Sequence, residues 1–469
     1  MWTRSLAVVS LLALLGSRPA AVAPLPVPTT EQAVLHALNR LTFGPRPGDV
    51  ERVRSIGLQA WIDQQLAPSR IDDRALGARL ARLDTLALDS RTIQQEYSGP
   101  AMVERRRRQL AGNREPGARQ PNEVLRKDRQ VIADIEEAKL LRAVYSERQL
   151  EEVLVDFWFN HFNVFAGKGA TRNYLNEYER DAVRPHVLGN FRELLGATAK
   201  SPAMLFYLDN WLNVAESSPG GASPRRGINE NYARELMELH TLGVDGGYTQ
   251  TDIVNVARAF TGWTIRPREG SGFMFVPALH DRDEKTVLGR TIKAGGGVDD
   301  GEQVLDILAA HPATARYVAL KLATRFVSDT PPQALVERAA ARFTATRGDL
   351  REVTRTIITS PEFFAPEAYR AKVKTPIEFV ASALRATGAE IRNAVPLARE
   401  LREMGMPLYF CQPPTGYDET ASTWVSAGAL VSRMNFAVEL GKNAVRGVTV
   451  RAANDKLALE IGSPEFQRR

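Results

Sequence analysis

Residues 229–253 read NENYARELMELHTLGVDGGYTQTDI and form the densest charged stretch of the chain. Five ionisable side chains fall within eleven residues: Glu230, Arg234, Glu235, Glu238 and His240. At about 100° per residue, the carboxylates and the arginine share one helical face, whereas His240 falls among apolar residues. The pattern predicts an amphipathic helix with i,i+4 ion pairs. It is not an HExxH zinc helix, since the histidine and the carboxylates point in different directions.

Composition and periodicity predict the fold class. The chain has 469 residues, of which 44% are hydrophobic and 25% charged, as in an ordinary globular protein. Helical apolar spacing dominates from residue 31 onward. The exception is GFMFVPALHD followed by KTVLGRTI, two segments separated by the charged turn RDE, which predict a β-hairpin. We therefore expect a mainly α, large multi-helix globular domain with a small β-hairpin excursion near 273–292.

The N-terminus has the pattern of an export signal. Arg4 precedes an apolar run from Leu6 to Leu15, and residues 21–23 form an A-x-A site. Residues 1–23 are thus predicted to be a signal peptide of the general secretory route, which gives a periplasmic or extracellular protein. Pro24 disfavours cleavage directly before it, which leaves an uncleaved anchor open.

The remainder is predicted as one large helical domain over residues 31–445, with a division into two lobes left open, and a C-terminal tail at 446–469. No internal stretch is apolar enough for a transmembrane helix. The only cysteine, Cys411, excludes an intrachain disulfide and is expected to be a buried inert thiol.

Residues 104–129 hold nine Lys or Arg against four Asp or Glu. Their Gly, Pro, Asn and Gln content predicts a solvated basic loop. Such a loop could contact an anionic surface or a phosphate-rich polymer. Aromatic side chains are missing from it, which argues against a platform for single-stranded nucleic acid, so no nucleic-acid partner is expected.

A second histidine also lies among apolar residues. His161, in DFWFNHFNVF (156–165), groups with aromatic and aliphatic neighbours on a helical wheel. If this helix packs against the one that carries His240, the two imidazoles meet and become candidates for metal binding, cofactor binding or proton transfer. Two unrelated core histidines are the alternative.

Two sets of candidate residues follow. The candidate catalytic residues are His161, His240, Glu235, Glu238, Arg234 and His186. The candidate metal ligands are His161, His240, His280 and Asp281; these residue types are compatible with a divalent metal, and the cofactor is left unassigned. They have no fixed-spacing ligand motif, and the chain lacks the usual nucleotide, haem and nucleophile-elbow signatures.

Several motifs together resemble one known family. In chain order they are HALNRLTFGPRPGDVERV, VLVDFWFNHFNVF, RPHVLGNFRELL, PAMLFYLDN, NENYARELMELHTLGVDGGYTQTDIVNVARAFTGW, HDRDEKTVLG, ARYVALKLATRFVSD, KVKTPIEFVASALRATG, and PPTGYDETASTW with SRMNFA. The chain is similar to the domain of unknown function 1800 family of exported bacterial proteins. The resemblance implies one mainly helical domain and an exported partner of the domain of unknown function 1501 type, and it implies no specific activity.

Two functions from different classes remain. The first is an envelope enzyme, hydrolase-like and metal-dependent if a metal binds, in which the histidines act as acid–base groups or ligands. Glu235 and Glu238 would then be the general base or ligands, and Arg234 would orient the substrate. The second is a non-catalytic envelope binding or assembly protein. The concentration of polar groups in a few motifs favours the enzyme slightly.

Overall fold

The computed structural model describes residues 27–111, 123–218 and 227–469. The predicted signal peptide, residues 1–23, lies outside the described residues. Most of the described chain is α-helical, and the strands are short and paired two by two, so the predicted mainly α fold is confirmed. Within these ranges no helix is both long enough and apolar enough to cross a bilayer.

The N-terminal part of the chain is a series of helices: α1 (Glu31–Leu41), α2 (Asp49–Ile56), α3 (Leu58–Gln65), α4 (Arg74–Leu80), α5 (Ser90–Thr92), α6 (Gly99–Ala111), α7 (Glu123–Tyr145) and α8 (Gln149–His161). The side chain of Thr30 accepts from the backbone N of Ala33 at 3.2 Å and starts α1. A π-helical turn, Ile93–Ser98, joins α5 to α6.

The predicted basic loop at 104–129 is helical at both ends. Residues 104–111 belong to α6, residues 123–129 begin α7, and residues 112–122 lie outside the described residues. Ion pairs three and four residues apart, such as Arg108 with Glu104 at 2.8 Å, stabilise these exposed turns. Exposed helices and loops can both have a charged composition. Composition alone therefore predicted a loop at residues 104–111 and 123–129, which are helical.

The middle of the chain contains α9 (Thr171–Glu177), α10 (Phe191–Lys200), α11 (Pro202–Tyr207), α12 (Asn231–Glu235) and α13 (Gln250–Ala259). The opening stretch is helical as predicted, although α12 continues as a π-helical turn over Leu236–Thr241. Thr249 and Asp252 form a capping box at the start of α13.

Three antiparallel pairs make up the described strands: β1 (Trp263–Thr264) with β2 (Met274–Phe275), β3 (Lys285–Val287) with β4 (Arg290–Ile292), and β5 (Glu390–Ile391) with β6 (Val448–Thr449). A hairpin near 273–292 is confirmed, but its pairing differs from the prediction. Leu288 and Gly289 both have positive φ and form a two-residue turn, so KTV pairs with RTI. Pro277 lacks an N–H and ends the strand of the preceding segment.

The C-terminal part contains α14 (Asp299–Ala309), α15 (Pro312–Phe326), α16 (Gln333–Ala345), α17 (Leu350–Ile358), α18 (Pro376–Ala386), α19 (Val395–Glu403), α20 (Ala421–Trp424), α21 (Ala427–Gly441) and α22 (Asp455–Gly462). The predicted tail at 446–469 is folded, since it holds β6 and α22. Its last residues pair with the chain before α18: the backbone N of Arg469 donates to Lys372 O at 2.9 Å.

Most of the buried apolar residues belong to one cluster that runs from Ala33 to Ile461. A network of buried charges crosses it, centred on Arg325, which is 1% exposed. Its guanidinium lies 3.0 Å from Glu378, 3.0 Å from Glu419 and 3.6 Å from Asp156. Charges removed from water persist only where opposite charges compensate them, so this network fixes the relative positions of α8, α15 and α18.

Candidate functional site

The structure brings His161 and His240 together. α8 ends at His161, and the π-helical turn of the opening stretch contains His240. Their ring centroids are 6.3 Å apart, and Nε2 of His161 donates to the backbone carbonyl of His240 at 3.1 Å. Nε2 of His240 has no hydrogen-bond partner among the described residues.

Both imidazoles are neutral at ordinary pH. Burial lowers the pKa of His240 to about 3. Burial, with a smaller contribution from the positive charge of Lys321, lowers the pKa of His161 well below its ordinary value. His161 is 4% exposed and His240 1% exposed, beneath the rings of Trp158, Phe162 and Tyr317. The pair thus lies inside the core and not at an open surface.

The charged residues of the same stretch face outward. Arg234 lies 3.1 Å from Glu230 and 3.8 Å from Glu238, in the i,i+4 ladder that the wheel indicates. Partial burial, with the neighbouring charge of Glu238, raises the pKa of Glu235. The carboxylates and His240 therefore do not share a site on this helix, and the catalytic roles assigned to Arg234, Glu235 and Glu238 stay predictions.

The other candidate histidines lie in different surroundings. His186 is half-buried, and its Nδ1 is 3.9 Å from Glu193. Nε2 of His280 is 3.2 Å from Asp300, while Asp281 pairs with Arg258 at 2.9 Å. The described residues contain no group of three or more His, Cys, Asp or Glu placed to hold a metal ion. The four predicted metal ligands are thus found as two separate pairs.

A cleft of about 880 Å³ opens elsewhere on the molecule, and we name it the arginine cleft. Its walls come from the α5–α6 region, α7, α9, the end of α11 and the turn after β1. The residues that line it are Gln94, Ser98, Met102, Arg105, Asp128, Gly169, Ala170, Arg172, Asn173, Phe206, Trp211, Ile265, Arg266, Pro267, Arg268 and Glu269.

Asp128 organises the inner wall of the arginine cleft. Its side chain has no exposed surface, and Arg105 and Arg172 both pair with its carboxylate. Ser98 Oγ donates to the same carboxylate at 3.0 Å. Asp128 therefore ties α7 to α6 and α9, and it holds two guanidinium groups at the cleft wall.

An aromatic pair also lines the arginine cleft. The rings of Phe206 and Trp211 stack at 5.5 Å with an interplanar angle of 13°. Thr264 Oγ1 donates to the backbone carbonyl of Trp211 at 2.8 Å and fixes its position. Gly169 has φ of 49°, and a Cβ there would lie 3.0 Å from the Phe206 ring, so both the backbone conformation and the tight contact favour glycine at this position.

The chemistry of the arginine cleft favours an anion. Four arginines face two carboxylates along its walls. Arg172 Nε and Trp211 Nε1 are buried donors without a partner among the described residues. The excess of arginine is what favours an anionic ligand in this cleft, because guanidinium groups bind carboxylate and phosphate oxygens through paired N–H donors.

The profile of the family described as protein of unknown function (DUF1800) matches residues 36–468. The chain belongs to this family. No curated protein and no solved structure matches it. The region matched by the DUF1800 family includes both histidines of the pair and every lining residue of the arginine cleft. The family description names no activity.

Sequence reasoning missed the arginine cleft of this DUF1800 protein. In the sequence, Asp128 is only one of the four acids of the basic segment 104–129. Trp211 directly follows the motif PAMLFYLDN, and no pattern around it indicates a binding site. The one available signal was Asp128 itself, since an acid inside a cationic helical run is positioned to pair with the arginines around it.

Proposed function

We propose that this protein is a ligand-binding protein of the cell envelope, which takes up an anionic molecule in the arginine cleft. The ligand carries a carboxylate or phosphate group beside one flat ring. The proposal rests above all on the excess of arginine over carboxylate in the cleft, beside the stacked rings of Phe206 and Trp211.

The geometry matches this ligand class in two ways. Guanidinium groups bind carboxylate and phosphate oxygens through paired N–H donors, and Arg266 and Arg268 are exposed at the mouth of the cleft. The stacked rings of Phe206 and Trp211 offer an apolar face to a sugar or aromatic ring. The cleft volume of about 880 Å³ lies in the range of small-molecule sites.

Binding is favoured over hydrolysis because of where the histidines lie. A catalytic acid or base must come within hydrogen-bond reach of its substrate. His161 and His240 are closed off by aromatic rings, whereas the arginine cleft is open to solvent. The metal-dependent hydrolase hypothesis predicts a stoichiometric metal in the purified mature chain, and mass spectrometry of that chain tests it.

Export is part of the proposal. The leader pattern at residues 1–23 supports it, and fusion of that segment to a phosphatase that is active only outside the cytoplasm tests it. The DUF1501-type partner implied by the family resemblance belongs to the same proposal, and co-purification of the two proteins from the envelope tests it.

Three matched probes test the ligand chemistry. Phenyl phosphate carries both the ring and the anion, phenol only the ring, and inorganic phosphate only the anion. We expect calorimetry to show that phenyl phosphate binds at least about tenfold more tightly than either fragment, since it contacts both the arginines and the aromatic rings. Equal affinity for all three, or no binding of phenyl phosphate, would overturn the proposal.

A further inference from the structure

A second pocket, of about 520 Å³, lies between α1, α18, α22 and the C-terminal residues, and we name it the Lys374 pocket. It shares no lining residue with the arginine cleft. Its lining residues are Leu35, Asn39, Pro45, Arg370, Lys374, Ser382, Ala386, Lys456, Leu459, Glu460, Ser463, Glu465, Phe466 and Arg468.

Lys374 is held rigidly at the wall of this pocket. It is 3% exposed, and its backbone N donates to Gln467 O at 2.9 Å. Its backbone carbonyl accepts from Arg433 at 2.7 Å. The main chain is thus fixed from two sides, at the entrance to the capped N-terminus of α18.

The amine of Lys374 contacts an aromatic ring and does not pair with a carboxylate. Its Nζ lies 3.7 Å from the centroid of the Phe466 ring. No carboxylate of the described residues lies within ion-pair distance of it. The nearest acid in the sequence, Glu378, is already paired with Arg325 and Arg469 at 3.0 Å each.

The surroundings of Lys374 make protonation of its amine less favourable than in water. Burial lowers its pKa to about 7, and the positive charges of Arg469, Arg433 and Arg370 act in the same direction against the opposing influence of Glu378. An ordinary lysine has a pKa of about 10.4, so only a minute fraction of it is neutral at neutral pH. A neutral buried lysine is the form that attacks carbonyl groups.

From the pocket, the rigid backbone and the unpaired amine, we propose that Lys374 is a nucleophile that forms an imine with a carbonyl ligand bearing an anionic group. Nζ attacks the carbonyl carbon, and a C–N bond forms as the carbonyl oxygen gains a proton. The resulting carbinolamine loses water to give the imine. Arg370 and Arg468, which line the same pocket, are placed to bind the anionic group.

Reductive trapping tests this proposal on the full chain. Glyoxylate, an aldehyde with a carboxylate, is added with cyanoborohydride, and modified lysines are located by peptide mass spectrometry. We expect Lys374 to be modified at least about tenfold faster than surface lysines at neutral pH, because its neutral fraction is far larger. Acetaldehyde, which lacks the anion, should label Lys374 with less preference.

Two variants separate a reactive site from a structural lysine. Lys374→Met removes the amine but keeps a side chain of similar length and should abolish the fast modification, whereas Lys442→Met, at an exposed position, should leave it unchanged. The rate at Lys374 should rise with pH around a midpoint of about 7, as the amine loses its proton. Modification of Lys374 at the rate of surface lysines, or no modification of it, would overturn the proposal.

Discussion

The guanidinium of Arg172 donates to the backbone carbonyl of Asp128 at 3.1 Å and pairs with the carboxylate of the same residue. Arg105 reaches that carboxylate from α6. One buried acid thereby fixes two arginines and joins three helices at the wall of the arginine cleft. The stability of the cleft and its affinity for anions thus depend on the same residue.

Replacing Asp128 by Asn should destabilise the protein. The variant keeps the shape of the side chain but removes the charge that both arginines contact, so the free energy of unfolding should fall by about 2 kcal/mol. Urea unfolding measures this change. Asp72→Asn is the matched control, since Asp72 pairs with Arg74 on the exposed surface and should change stability by less than about 0.5 kcal/mol. Equal stability of Asp128→Asn and the wild type would contradict the assignment.

The histidine pair predicts a loss of stability in acid. The pKa of His161 and of His240 is lower in the folded protein than in the unfolded chain. Below about pH 6.5 the unfolded chain therefore binds more protons, and the free energy of unfolding falls as the pH falls. Each such histidine contributes a loss of up to about 1.4 kcal/mol per pH unit.

The variant His240→Leu isolates this contribution from that of the carboxylates. Urea unfolding at about pH 7.5 and about pH 5 should show a smaller acid loss for His240→Leu than for the wild type, by about 1 kcal/mol or more. His186→Gln is the control, because His186 is only half-buried and should leave most of the acid loss in place. An unchanged acid loss in His240→Leu would contradict the neutral buried imidazole.

Substitution of Arg325 should lower the stability of the protein more than substitution at most other positions of the core. Arg325→Met leaves Asp156, Glu378 and Glu419 without their shared partner, and the free energy of unfolding should fall by about 3–5 kcal/mol. Arg338→Met, which removes a half-exposed pair with Glu362, should cost less than about 1 kcal/mol. Thermal unfolding of both variants measures the contrast, and equal losses would show that the buried network contributes little.

Cys411 should be inert in the folded protein. Burial raises the pKa of its thiol to about 11, so the reactive thiolate is rare at about pH 8. Iodoacetamide should modify it at least about tenfold more slowly in the native protein than in urea. Rapid native labelling would show that the thiol reaches solvent.

The spacing of apolar residues predicted those features of the molecule that are determined within a single segment, such as helices and their buried faces. The helical wheel separated His240 from the carboxylates around it, and two apolar histidines on two helices raised the contact between His161 and His240 as one of two alternatives. The hairpin pairing was predicted wrongly because the turn at Leu288 and Gly289 depends on backbone conformation that the segment's composition does not reveal.

The arginine cleft could not be predicted in the same way. Its walls come from residues as distant in sequence as Ser98, Asp128, Trp211 and Arg268. A single sequence shows which face of a helix is polar, but not which faces meet in space. None of these residues stands out within its own segment. They form a candidate anion-binding site only because the fold brings them together.

The most direct test of the ligand-binding account is a calorimetric titration of phenyl phosphate into the wild type, Trp211→Leu, Arg268→Gln and Arg399→Gln. Trp211 and Arg268 line the arginine cleft, whereas Arg399 is an exposed arginine on α19. The account predicts binding to the wild type and to Arg399→Gln, with affinity reduced at least about fivefold in the two cleft variants. Equal affinity in all four proteins would place binding elsewhere and contradict the account.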